Sequence, residues 1–230
     1  KITKKIKILK KIMKKTFLIL AFALSSLTFF GQTIRDNKLN VIRLSKNSDT
    51  DIIPKEVQKK QYFDFNFINA NINNLDKVAS LRFNVYKNEM EFIKNNQVFY
   101  LRKTEDIKIR FPSINKTYVI ENYNKKLTYF VNLIDGKFKL LLKENIKFVE
   151  ASVAKNSYGT ANPATYKRVS DQFFILNNKG QINLVSRKKK DFLNLFMTKS
   201  NEVKSFMKEK KLSHKKRKDL VKIITYYNQL

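Results

Sequence analysis

The sequence predicts an α+β protein, with an antiparallel β-meander (an open sheet or a partly closed barrel) followed by a C-terminal unit of about three short helices. Two observations predict this class. Between residues 61 and 186, apolar and polar residues alternate in short runs separated by turn signals, which is typical of strands with one buried face. From residue 188 the apolar spacing becomes i, i+3, i+4, which is typical of amphipathic helices. Because the connections between strands are short, antiparallel pairing is favoured over βαβ units.

Alternating side chains predict the first strands of the meander. Asn95-Asn96 is expected to form a hairpin turn, and Pro112 is expected to end the last of these strands. The alternating sets are Phe63, Phe65 and Phe67; Leu81, Phe83 and Val85; Met90 and Phe92; residues 98–101; and Ile107, Ile109 and Phe111.

The second half of the meander contains the strongest hairpin signal. Asp135-Gly136 separates two apolar runs, residues 129–134 and 137–143, and Asp-Gly supplies the positive φ angles of a tight type I′ turn. Further strands are predicted at residues 146–151, 166–176 and 182–185, and a loop at residues 152–165.

Three apolar stripes predict the helices of the C-terminal unit. Ser200 and Ser213 are expected to be the N-caps of the second and third helices. The stripes are Phe192, Leu195 and Phe196; Val203, Phe206 and Met207; and Leu220, Ile223, Ile224 and Tyr227.

Residues 1–31 are predicted to be a leader. From Met13, two lysines precede eight consecutive apolar residues, and small and polar residues follow up to Gly31, as in a secretory signal peptide. We interpret residues 1–12 as a start-site extension. The alternative is a retained membrane anchor, which is disfavoured because a spanning helix needs about 20 apolar residues.

The leader predicts where the protein resides. Cleavage after Gly31 would leave a periplasmic or secreted protein with no integral membrane span. In that protein residues 32–60 are expected to form a polar linker or arm, residues 61–186 the β domain, and residues 187–230 a basic helical unit.

Composition excludes several kinds of catalytic site. The chain has no Cys and a single His, so a thiol nucleophile, a disulfide framework and a site with two imidazoles are all excluded. We expect His214 to be a surface or capping residue, and Glu89 and Glu91 to be solvated charges on a strand face. We therefore predict a non-enzymatic protein without catalytic, metal-binding or cofactor-binding residues.

The net charge of +29 falls to +21 when the eight leader lysines are removed. Lysines outnumber arginines by 40 to 8, which we interpret partly as codon bias, because phosphate sites favour the bidentate arginine fork. Residues 187–230 contain fourteen basic and four acidic residues. The candidate anion-binding residues are Arg187, Lys188, Lys189, Lys190, Lys215, Lys216, Arg217 and Lys218.

Three interpretations of this basic region stay open. It could be a solvated face of compositional origin, a module that binds anionic envelope lipid or glycan, or a nucleic-acid-binding helical unit. Nucleic acid is disfavoured, because export separates the protein from the chromosome and the cations are mainly lysines.

Two segments carry a resemblance. Residues 81–101 (LRFNVYKNEMEFIKNNQVFYL) and the helical stretch 188–230 together resemble a family of small exported proteins of unknown function from Bacteroidetes-type Gram-negative bacteria. The resemblance brings no catalytic signature and no activity to transfer. From the leader and the lack of catalytic residues we predict a cell-envelope protein with a structural or interaction role, whose partner is an envelope protein or an anionic surface, and no cofactor.

Overall fold

The computed structural model describes residues 41–43, 53–73, 78–152 and 161–230. The predicted leader lies outside these residues. Four α-helices are described: α1 (Lys55–Lys59), α2 (Lys189–Asn194), α3 (Ser200–Glu209) and α4 (Arg217–Asn228). The described strands are β1 (Val41–Arg43), β2 (Ile68–Ile72), β3 (Val78–Asn84), β4 (Glu89–Lys94), β5 (Gln97–Leu101), β6 (Lys108–Phe111), β7 (Lys116–Tyr123), β8 (Lys126–Ile134), β9 (Lys139–Lys143), β10 (Ile146–Val149), β11 (Thr165–Arg168), β12 (Gln172–Leu176) and β13 (Ile182–Leu184).

Eleven of these strands form one antiparallel sheet in the order β1-β5-β4-β3-β2-β6-β7-β8-β9-β12-β13. β10 and β11 pair separately as a two-stranded ribbon. Among the described strands β1 and β13 are the two edges and do not pair with each other, so the sheet is open. The predicted α+β class and antiparallel meander are confirmed.

The connection between β5 and β6 requires the sheet to curl. These strands run in the same direction four positions apart, yet only residues 102–107 join them. In a flat sheet that connection would have to cross about 25 Å, slightly more than the roughly 24 Å that seven fully extended residue steps reach. Strand twist, which adds up to roughly 90° over four neighbours, removes the difficulty by bringing the two strand ends together.

The curl encloses the main hydrophobic core. Strands β2 to β9 all contribute buried side chains to it, among them Leu81, Met90, Ile109 and Tyr129. A smaller cluster around Phe130 and Phe174 fills the other face of the sheet.

The helices cover one part of the sheet. Buried side chains of α2, α3 and α4 pack with Phe138 from the β8–β9 loop and with Leu140 and Ile175 from the sheet. All four residues of the predicted third stripe, Leu220, Ile223, Ile224 and Tyr227, are buried, so that apolar spacing is confirmed. None of the described helices is long and apolar enough to cross a membrane.

Several predicted elements differ from the structure. Residues 63–67 are not a strand. The rings of Phe65 and Phe67 instead lie on the guanidinium of Arg82 in β3, and Phe63 packs against the main core. The predicted strand 166–176 is divided into β11 and β12, which pair with β10 and β9 respectively. The part of the arm that is described contains β1 and α1, and β7 was not predicted at all.

The Asp135-Gly136 hairpin is confirmed, but the predicted turn type is wrong. Asp135 is not among the residues with positive φ, and four residues, 135–138, separate β8 from β9. Gly136 has φ +148°, a conformation available essentially to glycine alone. The loop is shaped by a tertiary contact: Asn228 Nδ2 donates to the carbonyl oxygen of Phe138 (2.9 Å), and the Phe138 N–H donates to Asn228 Oδ1 (2.8 Å).

The predicted serine N-caps are also wrong. The N-cap of α3 is Lys199 and that of α4 is Lys216, and neither makes a side-chain capping hydrogen bond. Ser213 lies before α4, where its N–H donates to Asp219 Oδ2 (2.9 Å).

Candidate functional site

Both predicted basic runs lie at the starts of helices. Residues 187–190 lead into α2, and residues 215–218 lead into α4. All eight candidate anion-binding residues are exposed, and no described acidic residue forms an ion pair with any of them. We call these eight residues the basic surface.

A buried histidine joins the two runs. His214 Nε2 donates to the carbonyl oxygen of Arg187 at 3.0 Å, since a carbonyl can only accept. The imidazole stacks on Phe192 with ring centroids 5.0 Å apart and an angle of 20° between the planes. His214 is 6% exposed, so the expectation of a surface or capping residue was wrong. The neighbouring cations in the sequence point outward while the imidazole packs inward.

Two acidic residues, Asp191 and Asp219, follow the basic runs in the sequence, and both accept hydrogen bonds from the loops that precede their helices. Asp191 Oδ2 accepts from the hydroxyl of Ser186 (3.1 Å), and Asp219 Oδ2 accepts from the N–H of Ser213 (2.9 Å). Both carboxylates lie in the first turn of their helix, where they offset the positive end of the helix dipole. They do so without pairing with the eight cations, which stay available to a ligand.

A polar cavity of about 720 Å³ adjoins the basic surface. Arg187 and Lys215 line it together with His214, so one cation from each run faces the same concavity. The other lining residues are Ser170, Asp171, Gln172, Phe173, Leu184, Val185 and Ser186. The sequence did not predict this cavity, because its wall combines the start of β12, the end of β13 and the start of the segment before α4, which no motif marks.

Asp171 is the acidic residue of this cavity. Its Oδ2 accepts from Arg168 Nη2 at 3.1 Å, whereas its buried Oδ1 has no hydrogen-bond partner. An anion bound in the cavity would therefore have to lie on the side of Arg187 and Lys215, away from this carboxylate.

The carboxylates of Glu89 and Glu91, expected to be solvated, have structural partners. Glu91 is 2% exposed and accepts from Arg82 Nε at 2.7 Å and from the Tyr62 hydroxyl at 3.0 Å. Glu89 pairs with Lys103 at 2.7 Å. The expectation of solvated strand-face charges was wrong, because Glu91 is buried under Tyr62 and Arg82 and Glu89 is held in an ion pair with Lys103.

The burial of Glu91 and its partners changes the pKa values of two neighbouring tyrosines, Tyr62 and Tyr100. Burial and the charge of Glu91 raise the pKa of Tyr62 above its ordinary value. The same two causes raise the pKa of Tyr100 to about 12. Both phenols therefore stay neutral hydrogen-bonding groups at physiological pH.

Within the described ranges, no group of three His, Cys, Asp or Glu side chains is arranged to hold a metal ion. Comparisons of the chain with family models, with curated proteins and with solved structures find no match.

Proposed function

We propose that this is an exported, non-enzymatic protein of the cell envelope that binds an anionic envelope component through its basic surface. The observation that supports the proposal is the union of two separate runs of exposed, unpaired cations by the contact between His214 and Arg187. The anionic component that we favour is the phosphate-bearing surface of envelope lipids.

The strength of such binding follows from the number of cations. A lysine or arginine near an anionic membrane contributes about 1 kcal/mol, and the contribution weakens as salt shortens the Debye length. Because eight cations share one region, several can contact a planar surface at once. Three of them together are worth about 3 kcal/mol, which is a factor of more than 100 in affinity.

Lysine is suited to this kind of binding. Its ammonium is a flexible point charge that can follow mobile headgroups, whereas arginine favours fixed bidentate geometry. Six of the eight residues of the basic surface are lysines. Arg187 is the first residue of the run 187–190, and Arg217 lies within the run 215–218.

The experiment is sedimentation of the full chain with vesicles that contain 30% phosphatidylglycerol, over a series of salt concentrations. We expect binding that weakens steeply with salt and that falls more than 100-fold in the variant K188E/K189E/K190E. The matched control is K108E/K126E/K179E, which makes the same charge change at three exposed lysines of the sheet and its turns. The control should keep at least a third of the affinity.

Three outcomes would contradict the proposal. The first is binding to neutral vesicles as tight as to anionic ones. The second is an equal loss in both triple variants, which would show that only net charge matters. The third is binding of a DNA duplex more tightly than vesicles at the same salt, which would favour the nucleic-acid interpretation. The proposed export is tested separately, by finding Gln32 as the N-terminus of the protein in a periplasmic fraction.

A further inference from the structure

A second cavity, of about 300 Å³, lies on the concave side of the curled sheet and is unrelated to the basic surface. Its walls are mainly apolar and come from β2, β3, β6 and β7. Phe83, Phe111 and Tyr118 form one wall of packed rings, with Phe83 and Phe111 centred 4.6 and 5.8 Å from Tyr118. Concave sites that are mostly apolar and carry a few polar groups are typical of small-molecule binding.

The segment 61–67 supplies the cover of this cavity. Phe63 lines it, and the ring of Phe63 lies under the guanidinium of Arg168, whose Cζ is 4.1 Å from the ring centroid. Lys116 Nζ approaches the same ring at 5.5 Å. The cover is therefore fastened to β11 and β7 by cation–π contacts, each worth about 0.5–1 kcal/mol at exposed sites.

The two cations that line the cavity are already neutralised. Arg82 Nε donates to Glu91 at 2.7 Å, and the guanidinium is enclosed by the rings of Tyr62, Phe65 and Phe67 at 4.3–4.5 Å. The positive charge of Arg82 is therefore balanced by Glu91 and does not favour a bound anion.

Lys116 is neutralised in the same way. Its Nζ donates to Glu144 Oε1 at 2.5 Å, and the Tyr118 hydroxyl donates to Glu144 Oε2 at 2.7 Å. Glu144 is 5% exposed, so this carboxylate depends on its two donors. A ligand carboxylate placed here would compete with Glu144 for Lys116 and would meet like charge, which costs free energy in a partly dry site.

Polar groups with spare hydrogen-bonding capacity occur at the exposed rim. Asp64 Oδ1 accepts from the N–H of Asn66 at 2.9 Å, and both residues are exposed and line the cavity. Asn66 thus offers an amide, and Asp64 a second carboxylate oxygen, to a hydroxyl group at the mouth.

We infer that this cavity binds a small uncharged molecule with an apolar body and one terminal hydroxyl group. At roughly 30 Å³ for each water-sized group, about ten non-hydrogen atoms fill it. A medium-chain alcohol meets this description, with its chain against Phe83 and Phe111 and its hydroxyl at Asp64 and Asn66.

The test is isothermal titration of the full chain with 1-nonanol and with nonanoate at pH 7.5. We expect saturable binding of 1-nonanol with one site, at least tenfold tighter than nonanoate. Ile114→Trp narrows the mouth at a residue that is 42% exposed, so folding is not at risk, and it should weaken 1-nonanol at least tenfold. Val85→Phe, which fills the interior of the cavity, should have the same effect.

Two control variants test whether the binding belongs to this cavity. Ile93→Trp places the same ring on an exposed isoleucine (53% exposed) that does not line the cavity, and it should leave binding unchanged. K188E/K189E/K190E should also bind 1-nonanol normally, because this cavity does not depend on the basic surface. The inference is overturned by absence of saturable binding, by equal affinity for nonanoate, or by binding that Ile114→Trp does not change.

Discussion

The contact between Asn228 and the β8–β9 loop makes a quantitative prediction about how the C-terminal helix is held on the sheet. A Cβ at Gly136 would lie 2.5 Å from Asn228 Nδ2 and 2.8 Å from its Cγ, so Gly136→Ala must displace the amide that holds Phe138. The two hydrogen bonds are worth about 0.5–1.5 kcal/mol each, together about 1–3 kcal/mol. The φ of +148° adds about 1–3 kcal/mol of backbone strain once a side chain is present.

These magnitudes predict non-additivity. Gly136→Ala should cost about 2–6 kcal/mol, and Asn228→Ala about 1–3 kcal/mol, because it loses the hydrogen bonds alone. The double variant should be no less stable than Gly136→Ala, since the hydrogen bonds can be lost only once. The expected coupling is therefore about 1–3 kcal/mol.

The assay is urea unfolding of the full chain followed by circular dichroism, which suits a protein without Trp. Gly180→Ala is the matched control. Gly180 also has positive φ (+76°), but nothing lies within 4 Å of a Cβ built there. Asn228→Ala should therefore be additive with Gly180→Ala. If Asn228→Ala costs the same free energy with Gly136 as with Ala at that position, the proposed clash does not exist.

Three other predictions concern buried polar groups. Arg82→Met leaves the buried carboxylate of Glu91 without its cation and should cost about 3–5 kcal/mol in urea unfolding, with partial recovery in Arg82→Met/Glu91→Gln. A cost below about 1 kcal/mol would refute this reasoning. The pKa of Tyr100 is about 12 in the folded protein, so this phenol keeps a proton that the unfolded chain releases near pH 10. The free energy of unfolding should therefore be unaffected by this group below about pH 10 and should fall between about pH 10 and 12. A urea midpoint that rises over this range would contradict the prediction. His214→Phe keeps a ring stacked on Phe192 but loses the hydrogen bond to the carbonyl oxygen of Arg187. This variant should lose about 1 kcal/mol of stability and bind vesicles more weakly. Unchanged vesicle binding would show that this hydrogen bond does not organise the basic surface.

Much of the local structure could be predicted from the sequence. The hairpin at Asn95-Asn96 follows from residues that tolerate positive φ, and both have it, at 51° and 58°. The stripe that ends at Tyr227 packs as its spacing predicts, because a 3.6-residue period fixes which side chains share a helix face. The membership of the basic surface also came from the sequence, because exposure is the usual state of clustered lysines.

Other features could not be predicted, because they depend on residues far apart in the chain. Phe63, Phe65 and Phe67 alternate as a strand would, yet two of their rings, those of Phe65 and Phe67, contact Arg82 across 15 residues or more. No sequence pattern around Glu91 predicts that this carboxylate is buried. Both cavities are lined by residues from several elements, so no motif of contiguous residues could have marked them.

The sequence by itself determined the α+β class, the antiparallel pairing of the strands, the position of the helices after the strands, and the excess of lysine at the C-terminus. These properties follow from periodicity and composition, which act over a few residues. Tertiary structure alone decided how the sheet curls, which charges are buried, and that residues 187–190 and 215–218 meet through His214. The physical reason is that curling and docking satisfy long-range constraints: a six-residue connection between parallel strands, and apolar helix faces that must be covered. The basic surface is therefore encoded as two runs in the sequence, and these runs become one surface only when α2 and α4 pack on the sheet.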